Sequence, residues 1–446
     1  MRATFHLKTL TVAIATLSIA SITNAAGLDR SGQDVTAFLQ DGTYAEAVYT
    51  YIDADVSGYD SSNNDPLNNR YERGNKTGDI AESYDFFRYG VKTDINDTFS
   101  IGVLYDEPFG AAAEYKGDNN FVANTNPADS AGEFANDPAP NDPISGGTTA
   151  ALKPAIIGAE NSTAGENTKV EVRSENLTAI LGMKLGADKN FQIYGGPVAQ
   201  RVKSDVKLRG LAYGPATSYT SHISPDQDYG WLAGISYSKP EIALKAALTY
   251  RSEIDHSMNI YESYPLAPTL SGGALPSTQV TNMEITTPKS VNLDFQTGIN
   301  PTMLATAKVR WVPWSDFSIT PPLYNAASKN PVSRPDGLNL VDYEDDQWQV
   351  ELGLAKRIAP ALAVSGTVGW DSGAGDVTTS LGPIDGYYSV GLGAKYNVTP
   401  EWAVSAGGKY LWFGDAKGQL PTGKIVGDFQ DNDGYILGVK LSYQGE

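Results

Sequence analysis

Residues 385–414 read DGYYSVGLGAKYNVTPEWAVSAGGKYLWFG, and the spacing within this stretch decides the fold. Tyr388, Val390, Leu392, Ala394 and Tyr396 alternate with small or polar residues. Beyond Val398-Thr399 the pattern resumes in Trp402, Val404, Ala406, Tyr410 and Trp412. A period of two sends successive side chains to opposite faces of a strand, so one face is apolar and the other polar or small. Working outward, Trp348, Val350, Leu352 and Leu354 alternate with Gln347, Gln349, Glu351 and Gly353. Leu362, Val364, Val368 and Trp370 alternate with Ala363, Ser365, Thr367 and Asp371, and Tyr435, Leu437, Val439, Leu441 and Tyr443 share one face. No helix-period segment of comparable length is available to cover these apolar faces. Their solvent is therefore lipid, and the expected fold is an all-β, antiparallel transmembrane barrel in a bacterial outer membrane.

The same reading along the chain yields 14 strands, at about 44–56, 82–95, 98–116, 169–185, 190–208, 227–238, 241–254, 281–296, 302–313, 345–358, 360–372, 385–397, 400–414 and 433–445. Short turns at Asn96-Asp97, Gly186 to Lys189, Lys239-Pro240, Gly298 to Pro301, Ala359 and Val398-Thr399 alternate with long loops. Those loops fall at 57–81, 117–168, 209–226, 255–280, 314–344, 373–384 and 415–432. Short periplasmic turns, long outer loops and an even strand number are the pattern of a bacterial barrel. Trp402 and Trp412 lie ten residues apart on one face. That separation is about 33 Å along the strand, or about 25 Å of height when tilted, the spacing of two aromatic girdles.

Residues 1–25 read as a cleaved export signal: Arg2 and Lys8, then an apolar run from Leu10 to Ala20, then Thr23-Asn24-Ala25. Residues 26–43, beginning Ala26-Gly27-Leu28, have no place in the ladder. Fourteen strands enclose a lumen too wide for side chains alone to fill, so this segment is expected to fold inward as a hatch, with a periplasmic tail as the alternative. Residues 44–446 form the barrel. The chain has no cysteine and a net charge of −19, which excludes disulfides and zinc–thiolate sites and argues against nucleic acid as a partner. Between Gly117 and Thr168 stand Asp118, Asp129, Glu133, Asp137, Asp142, Glu160 and Glu166 against Lys153 alone. This reads as a solvated surface loop, with weak divalent-cation binding as the functional alternative.

Several segments resemble the FadL family of outer-membrane transporters for long-chain fatty acids and other hydrophobic compounds. They are Val48 to Gly58 (VYTYIDADVSG), Gly234-Ile235-Ser236-Tyr237 with Leu248 to Ile254 (LTYRSEI), Thr287-Pro288, Val309 to Phe317 (VRWVPWSDF), and the mature start Ala26-Gly27. The resemblance implies a 14-stranded barrel, an N-terminal hatch and passive uptake of apolar molecules. The chain lacks the family's Asn-Pro-Ala element between Ala26 and Tyr44, and its last aromatic, Tyr443, is followed by Gln444-Gly445-Glu446.

Candidate ligand contacts follow from charge and parity. Arg201, Lys203, Asp205, Lys207 and Arg209 occupy alternating positions of the fifth strand, so period two puts all four cations on one face. Charge facing lipid is costly, so this face is expected to line the lumen and hold a carboxylate. Pairing with neighbouring acids is the alternative. Arg251, with Lys245, and Lys308 with Arg310 are further candidates. Pro108 and Gly110 in the third strand predict a kink, since proline cannot donate to the ladder and interior glycine marks bulges. The resemblance implies lateral exit of ligand there.

Catalytic signals are weak. Gly418 to Lys424 (GQLPTGK) approaches a phosphate loop, but Ile425 stands where Ser or Thr is required. His222 and His256 fall in predicted loops with no nucleophile motif nearby, and no metal-ligand spacing or cofactor signature occurs. The expected function is passive transport of long-chain fatty acids or similar hydrophobic molecules, with membrane lipid and an apolar ligand as partners. Tyr261, Tyr264, Leu266 and Leu270 would offer the outer apolar surface. A water-filled porin and a lipid hydrolase are the alternatives.

Overall fold

The computed structural model describes residues 28–63, 70–123, 149–375 and 377–445. The expected export signal, Gly27, and the loop acids Asp129, Glu133, Asp137 and Asp142 lie outside them.

The wall comprises β1 (Thr43–Asp55), β2 (Tyr84–Asp94), β3 (Phe99–Asp106 and Gly110–Glu114), β4 (Lys169–Leu185) and β5 (Phe191–Lys207). Next come β6 (Thr220–Lys239), β7 (Leu244–Arg251 and Ile254–Ser263), β8 (Thr278–Thr287 and Ser290–Asn300) and β9 (Met303–Val312). It is completed by β10 (Gln347–Ala359), β11 (Leu362–Asp371), β12 (Asp385–Asn397), β13 (Trp402–Gly414) and β14 (Asp433–Gly445). Three strands are each split in two, so 17 paired segments make 14 strands. β1 pairs with β2 and, from Thr43↔Gly445 to Asp55↔Asp433, with β14. That pairing closes the sheet and leaves no edge to meet lipid unpaired.

The predicted faces hold. On β12, Tyr388, Val390, Leu392 and Tyr396 are exposed outward while Tyr387, Ser389 and Lys395 are buried inside. On β13, Trp402, Val404, Tyr410 and Trp412 face outward and Ala403, Ser405, Leu411 and Phe413 inward. Outward aromatics gather at two heights. Trp402 packs 5.1 Å from Tyr443 and Phe191 4.8 Å from Tyr237 near the short turns. Trp311 lies 6.3 Å from Trp348, and Trp231 5.2 Å from Tyr250, toward the long loops. These are the girdles of a membrane barrel.

The strands project further outward than the alternation suggests. β6 starts at Thr220 and β7 runs to Ser263, so His222 and His256 sit on strands and not in the loops expected at 209–226 and 255–280. Above the hydrocarbon, water solvates an outward polar side chain, and the apolar half of the pattern is no longer needed. The outer loops are also structured. Part of the stretch read as a solvated loop is a helix, α1 (Thr149–Ser162), whose Glu160 is buried and accepts the Thr217 hydroxyl. The segments Ser57–Ser61, Arg73–Asp79, Val377–Thr379, Ala416–Gln419 and Ile425–Phe429 form a five-stranded sheet over the mouth. The phosphate-loop-like run lies in the turn between the last two of these, with no helix after it. An apolar core joins these loops to the upper lumen, with Tyr115 stacked 4.0 Å from Phe121 and Phe109 5.6 Å from Trp314.

The closing register is testable because every cysteine would be an introduced one. Ala47 is opposite Leu441, and facing Cα atoms of antiparallel strands lie about 4.5–5.5 Å apart, within disulfide reach. Oxidised A47C/L441C should migrate on a denaturing gel as a cross-linked chain, whereas A47C/K440C should not. The opposite result would overturn this register.

Candidate functional site

Residues 28–42 pass into the lumen and are almost wholly buried, with Asp29, Ser31, Val35 and Phe38 at 0% exposure. Gly32 (φ 64°) and Gln33 (φ 53°) take left-handed backbone and turn the chain within the barrel. Phe38 packs 5.6 Å from Tyr194 and belongs to a cluster with Val35, Leu104, Ile180 and Leu232.

Charge fixes this segment in one register. Arg310 grips Asp29 with two bonds, Nε to Oδ2 at 2.6 Å and Nη2 to Oδ1 at 3.0 Å, and donates to Asn292 at 2.8 Å. Lys308 Nζ lies 3.0 Å and Arg88 Nη1 3.2 Å from Asp34 Oδ2. Arg88 also reaches Glu46 at 3.3 Å. Burial alone would raise the Asp34 carboxyl, but the Lys308 ammonium and Arg88 guanidinium outweigh it and hold the group well below the usual carboxylate range. Further hydrogen bonds complete the attachment: Asn292 Nδ2 to Gly32 O at 2.8 Å, Ser290 Oγ to Gln33 Oε1 at 2.6 Å, and the Lys245 ammonium to Leu39 O at 2.9 Å.

The same segment meets the wall at the predicted kink. β3 is interrupted between Asp106 and Gly110, leaving Pro108 where no ladder donor is available. Arg30 N donates to Pro108 O at 2.6 Å and Gly110 N to Leu28 O at 2.7 Å, and Asp29 bridges Phe109 in antiparallel fashion. The β2–β3 ladder stops at Tyr89↔Tyr105 and resumes only at the bridge Ala81↔Ala113. Tyr84 stands in this lapse, under the guanidinium of Arg173 at 4.7 Å, its hydroxyl 3.3 Å from Glu107. A Cβ on Gly110 would lie 2.9 Å from the Tyr84 hydroxyl and 3.0 Å from the Val172 carbonyl. Leu28, Ile80, Tyr84, Ala112, Val172 and Leu381 help line a mostly apolar cavity of about 80 Å³ that reaches both edges of the lapse. Below the segment a chamber of about 670 Å³ adjoins the short turns, with Leu39, Lys184, Gln192, Lys308 and Glu351 in its lining.

The candidate cations divide into four groups. Arg201, Lys203 and Lys207 are exposed on the outer face of β5, while Val202 and Val206 of the same strand are buried inside. The lumen placement expected for this row is therefore corrected. The outer end of β5 rises above the hydrocarbon, so charge on that face meets water and not lipid. Arg209 is buried but lies beyond β5 and binds Glu166 at 2.8 Å. Lys308, Arg310 and Lys245 do face the lumen, and all three hold the N-terminal segment. Arg251 is buried on β7, where Nη1 donates to Thr178 at 3.2 Å while Nε and Nη2 have no hydrogen-bond partner. Of the outer apolar residues, Tyr264 and Leu266 are buried beneath the loops and Tyr261 faces outward. The partners Asp29 and Asp34 were missed in the sequence. Their signal was two acids in a short segment facing the inward cations Lys308 and Arg310.

A closed, girdled barrel with its own N-terminus packed inside defines an outer-membrane channel protein. Residues 184–444 match the family described as outer membrane protein transport protein (OMPP1/FadL/TodX), and the chain belongs to that family of outer-membrane transporters of hydrophobic compounds. It is a transport family and not a class of enzymes. No curated protein matches the chain. Among solved structures, a Pseudomonas aeruginosa FadL homologue superposes with a TM-score of 0.62 at 14% identity, over 92% of this chain and 91% of that one. The Pseudomonas putida toluene transporter TodX gives 0.54 at 9% identity over 95% and 97%, and the Ralstonia pickettii toluene transporter TbuX 0.52 at 10% over 94% and 95%. At such identities the likeness is one of fold.

Asp34→Asn should loosen the segment, because it removes the carboxylate that Lys308 and Arg88 share and leaves them only Asp294 and Glu46, at a cost below the roughly 3–5 kcal/mol of a wholly unpaired buried charge. Planar-bilayer recordings should then show more frequent openings than wild type at pH 7. Since folding depresses this carboxyl, its stabilisation is complete above the unfolded value of about 4 and is lost as pH falls through the folded value. Acid should therefore increase openings of the wild type and affect the variant less. Identical traces for the two proteins at pH 7 would show that the pairs do not hold the segment.

Proposed function

We propose that the protein takes up long-chain fatty acids, or hydrophobic molecules of similar shape with one polar end, passively across the outer membrane. Ligand leaves sideways between β2 and β3. The observation that carries this reading is Arg251: a buried guanidinium near Asp106 whose Nε and Nη2 have no hydrogen-bond partner among the described residues. A ligand carboxylate would satisfy both groups by charge-assisted bonds. Gln33, Phe109, Ile254 and Pro288 crowd Arg251 around a void of only about 10 Å³, so binding requires the segment carrying Gln33 to move as a hatch. That movement also withdraws the backbone of Leu28 and Arg30 from Pro108 and Gly110, which supports exit through the lapse beside Tyr84. Binding energy comes mainly from burial, about 0.8 kcal/mol per methylene, so affinity should rise with chain length.

Arg251→Met should weaken binding of a sixteen-carbon fatty acid to the detergent-solubilised protein by about 10–100-fold, as for a lost charged hydrogen bond, and leave toluene binding unchanged. Equal loss for both would mean a packing role, and no loss would remove the carboxylate site. Gly110→Trp should fill the lapse and slow uptake into liposomes without altering heat-modifiable gel mobility. Unchanged uptake would sink lateral exit. Large, steady conductance of the wild type would instead favour a porin.

A further inference from the structure

The wall lapses a second time, between β6 and β7. Their ladder ends at Arg251↔Leu232 and resumes at Ile260↔Ile223. Ser252 and Trp231 still exchange bonds at the lower edge. Above them Asp228 Oδ2 accepts the Ser257 N–H at 3.3 Å, a side chain standing in for the missing strand partner. On the other side of β6, Val202↔Asp226 is followed by Ser204↔Ile223, so Ser224 and Pro225 together oppose Lys203 alone. This bulge shifts the parity of β6 and turns Asp226 and Asp228 to the inner side, where simple alternation from Ile223 would have turned them outward.

His256 faces them from β7, with its side chain fully buried. Gln200 Oε1 accepts from Thr287 Oγ1 at 2.6 Å and sits 2.9 Å from His256 Nε2, so this ring nitrogen carries the hydrogen. Nδ1 is left as a bare acceptor. Among the described residues it has no hydrogen-bond partner; it lies 3.8 Å from Asp226 Oδ2, which likewise has none among them, and 3.9 Å from Asp228 Oδ2. The three electron-rich atoms lie within 4.8 Å of one another. A proton on Nδ1 does not satisfy them, because these separations exceed the 2.7–3.2 Å of an N–H···O bond. Drawn together by a few tenths of an ångström, to the roughly 3.4 Å between ligands of a tetrahedral ion, the three atoms would hold one ion at about 2.0–2.2 Å. Among the described residues, this is the one such grouping of histidine and carboxylates.

We propose that Asp226, Asp228 and His256 bind a divalent transition-metal ion of the zinc class, and that the ion clasps β6 to β7 across the lapse. The imidazole selects against calcium and magnesium, which take oxygen ligands. Gln200 is the outer partner that fixes the tautomer, as such partners do at metal-bound histidines. The partly exposed carboxylates lie beyond Trp231 of the outer girdle, so the ion reaches the site from outside. This site is separate from Arg251 and the β2–β3 lapse and does not rest on the transport reading.

The test uses tag-free, chelator-treated, full-length protein in detergent, titrated with zinc chloride alone by calorimetry, with calcium chloride as control. Wild type should bind one equivalent of zinc and no calcium, and its unfolding temperature should rise with zinc. Asp226→Asn with Asp228→Asn should weaken zinc binding at least tenfold and abolish the temperature rise. Wild-type binding of calcium alone, of no metal, or of zinc that persists undiminished in the double variant would overturn the proposal. Should the variant fail to fold, zinc-edge anomalous scattering from wild-type crystals decides: a peak among the three side chains sustains the site, and its absence removes it.

Discussion

In hydrocarbon every backbone N–H and C=O needs a partner within the protein, and that requirement organises the whole molecule. It forces the strands into a closed ladder, sealed by the pairing of β1 with β14. Any interruption of the ladder must then be served by something other than a neighbouring strand. At the β3 break the substitute is the backbone of Leu28 and Arg30, entering from inside. At the β6–β7 lapse it is the carboxylate of Asp228 bonded to Ser257 N. The N-terminal segment is thus a structural part of the wall as well as an obstruction in the lumen, and the two roles cannot be separated by moving it.

How the segment is held follows from the cost of burying charge. Asp29 and Asp34 meet Arg310, Lys308 and Arg88 where little water reaches. Buried pairs contribute little net stability against an apolar alternative, but removing one member leaves a charge uncompensated, which is expensive. Such a network tolerates one register and penalises partial displacement. Phe38 adds the opposite kind of contact, an apolar wedge that is indifferent to small rotations. Together they define one seated position. Directional pairs define the seated state, and any departure must free several charges at once.

Much of the wall was legible from the sequence because lipid imposes a simple rule. Within the bilayer an outward side chain must be apolar, so the alternation from Tyr388 to Trp412 reports both strand and face without ambiguity. The strand count, the short-turn end, the girdles and the kink at Pro108 followed from the same rule and from proline chemistry. The site was less legible. Lys308 and Arg310 were correctly placed on an inner face, yet their acid partners lie some 270 residues or more away in sequence. No local pattern encodes such a pairing. The five-stranded cap is assembled from three separate loops and was invisible for the same reason.

The misplaced cations of β5 and the unrecognised carboxylates of β6 have two origins. Alternation reveals that a strand has two faces, but the identity of each face depends on where the bilayer ends. β5 has 17 residues, whereas about 9–11 suffice to cross the hydrocarbon. In the surplus, water replaces lipid outside. Arg201, Lys203 and Lys207 can then point outward at little cost, and the inward positions go to Val202 and Val206. On β6 the bulge at Ser224-Pro225 inverts the parity once more and carries Asp226 and Asp228 inside. A sequence reading that propagates one face along the full strand fails at both points, because the first error lies in the solvent and the second in the register. The outer third of this barrel is in effect a soluble β-structure built on a membrane one. It obeys the rules of water, and there polar groups such as His256 can be buried and brought together.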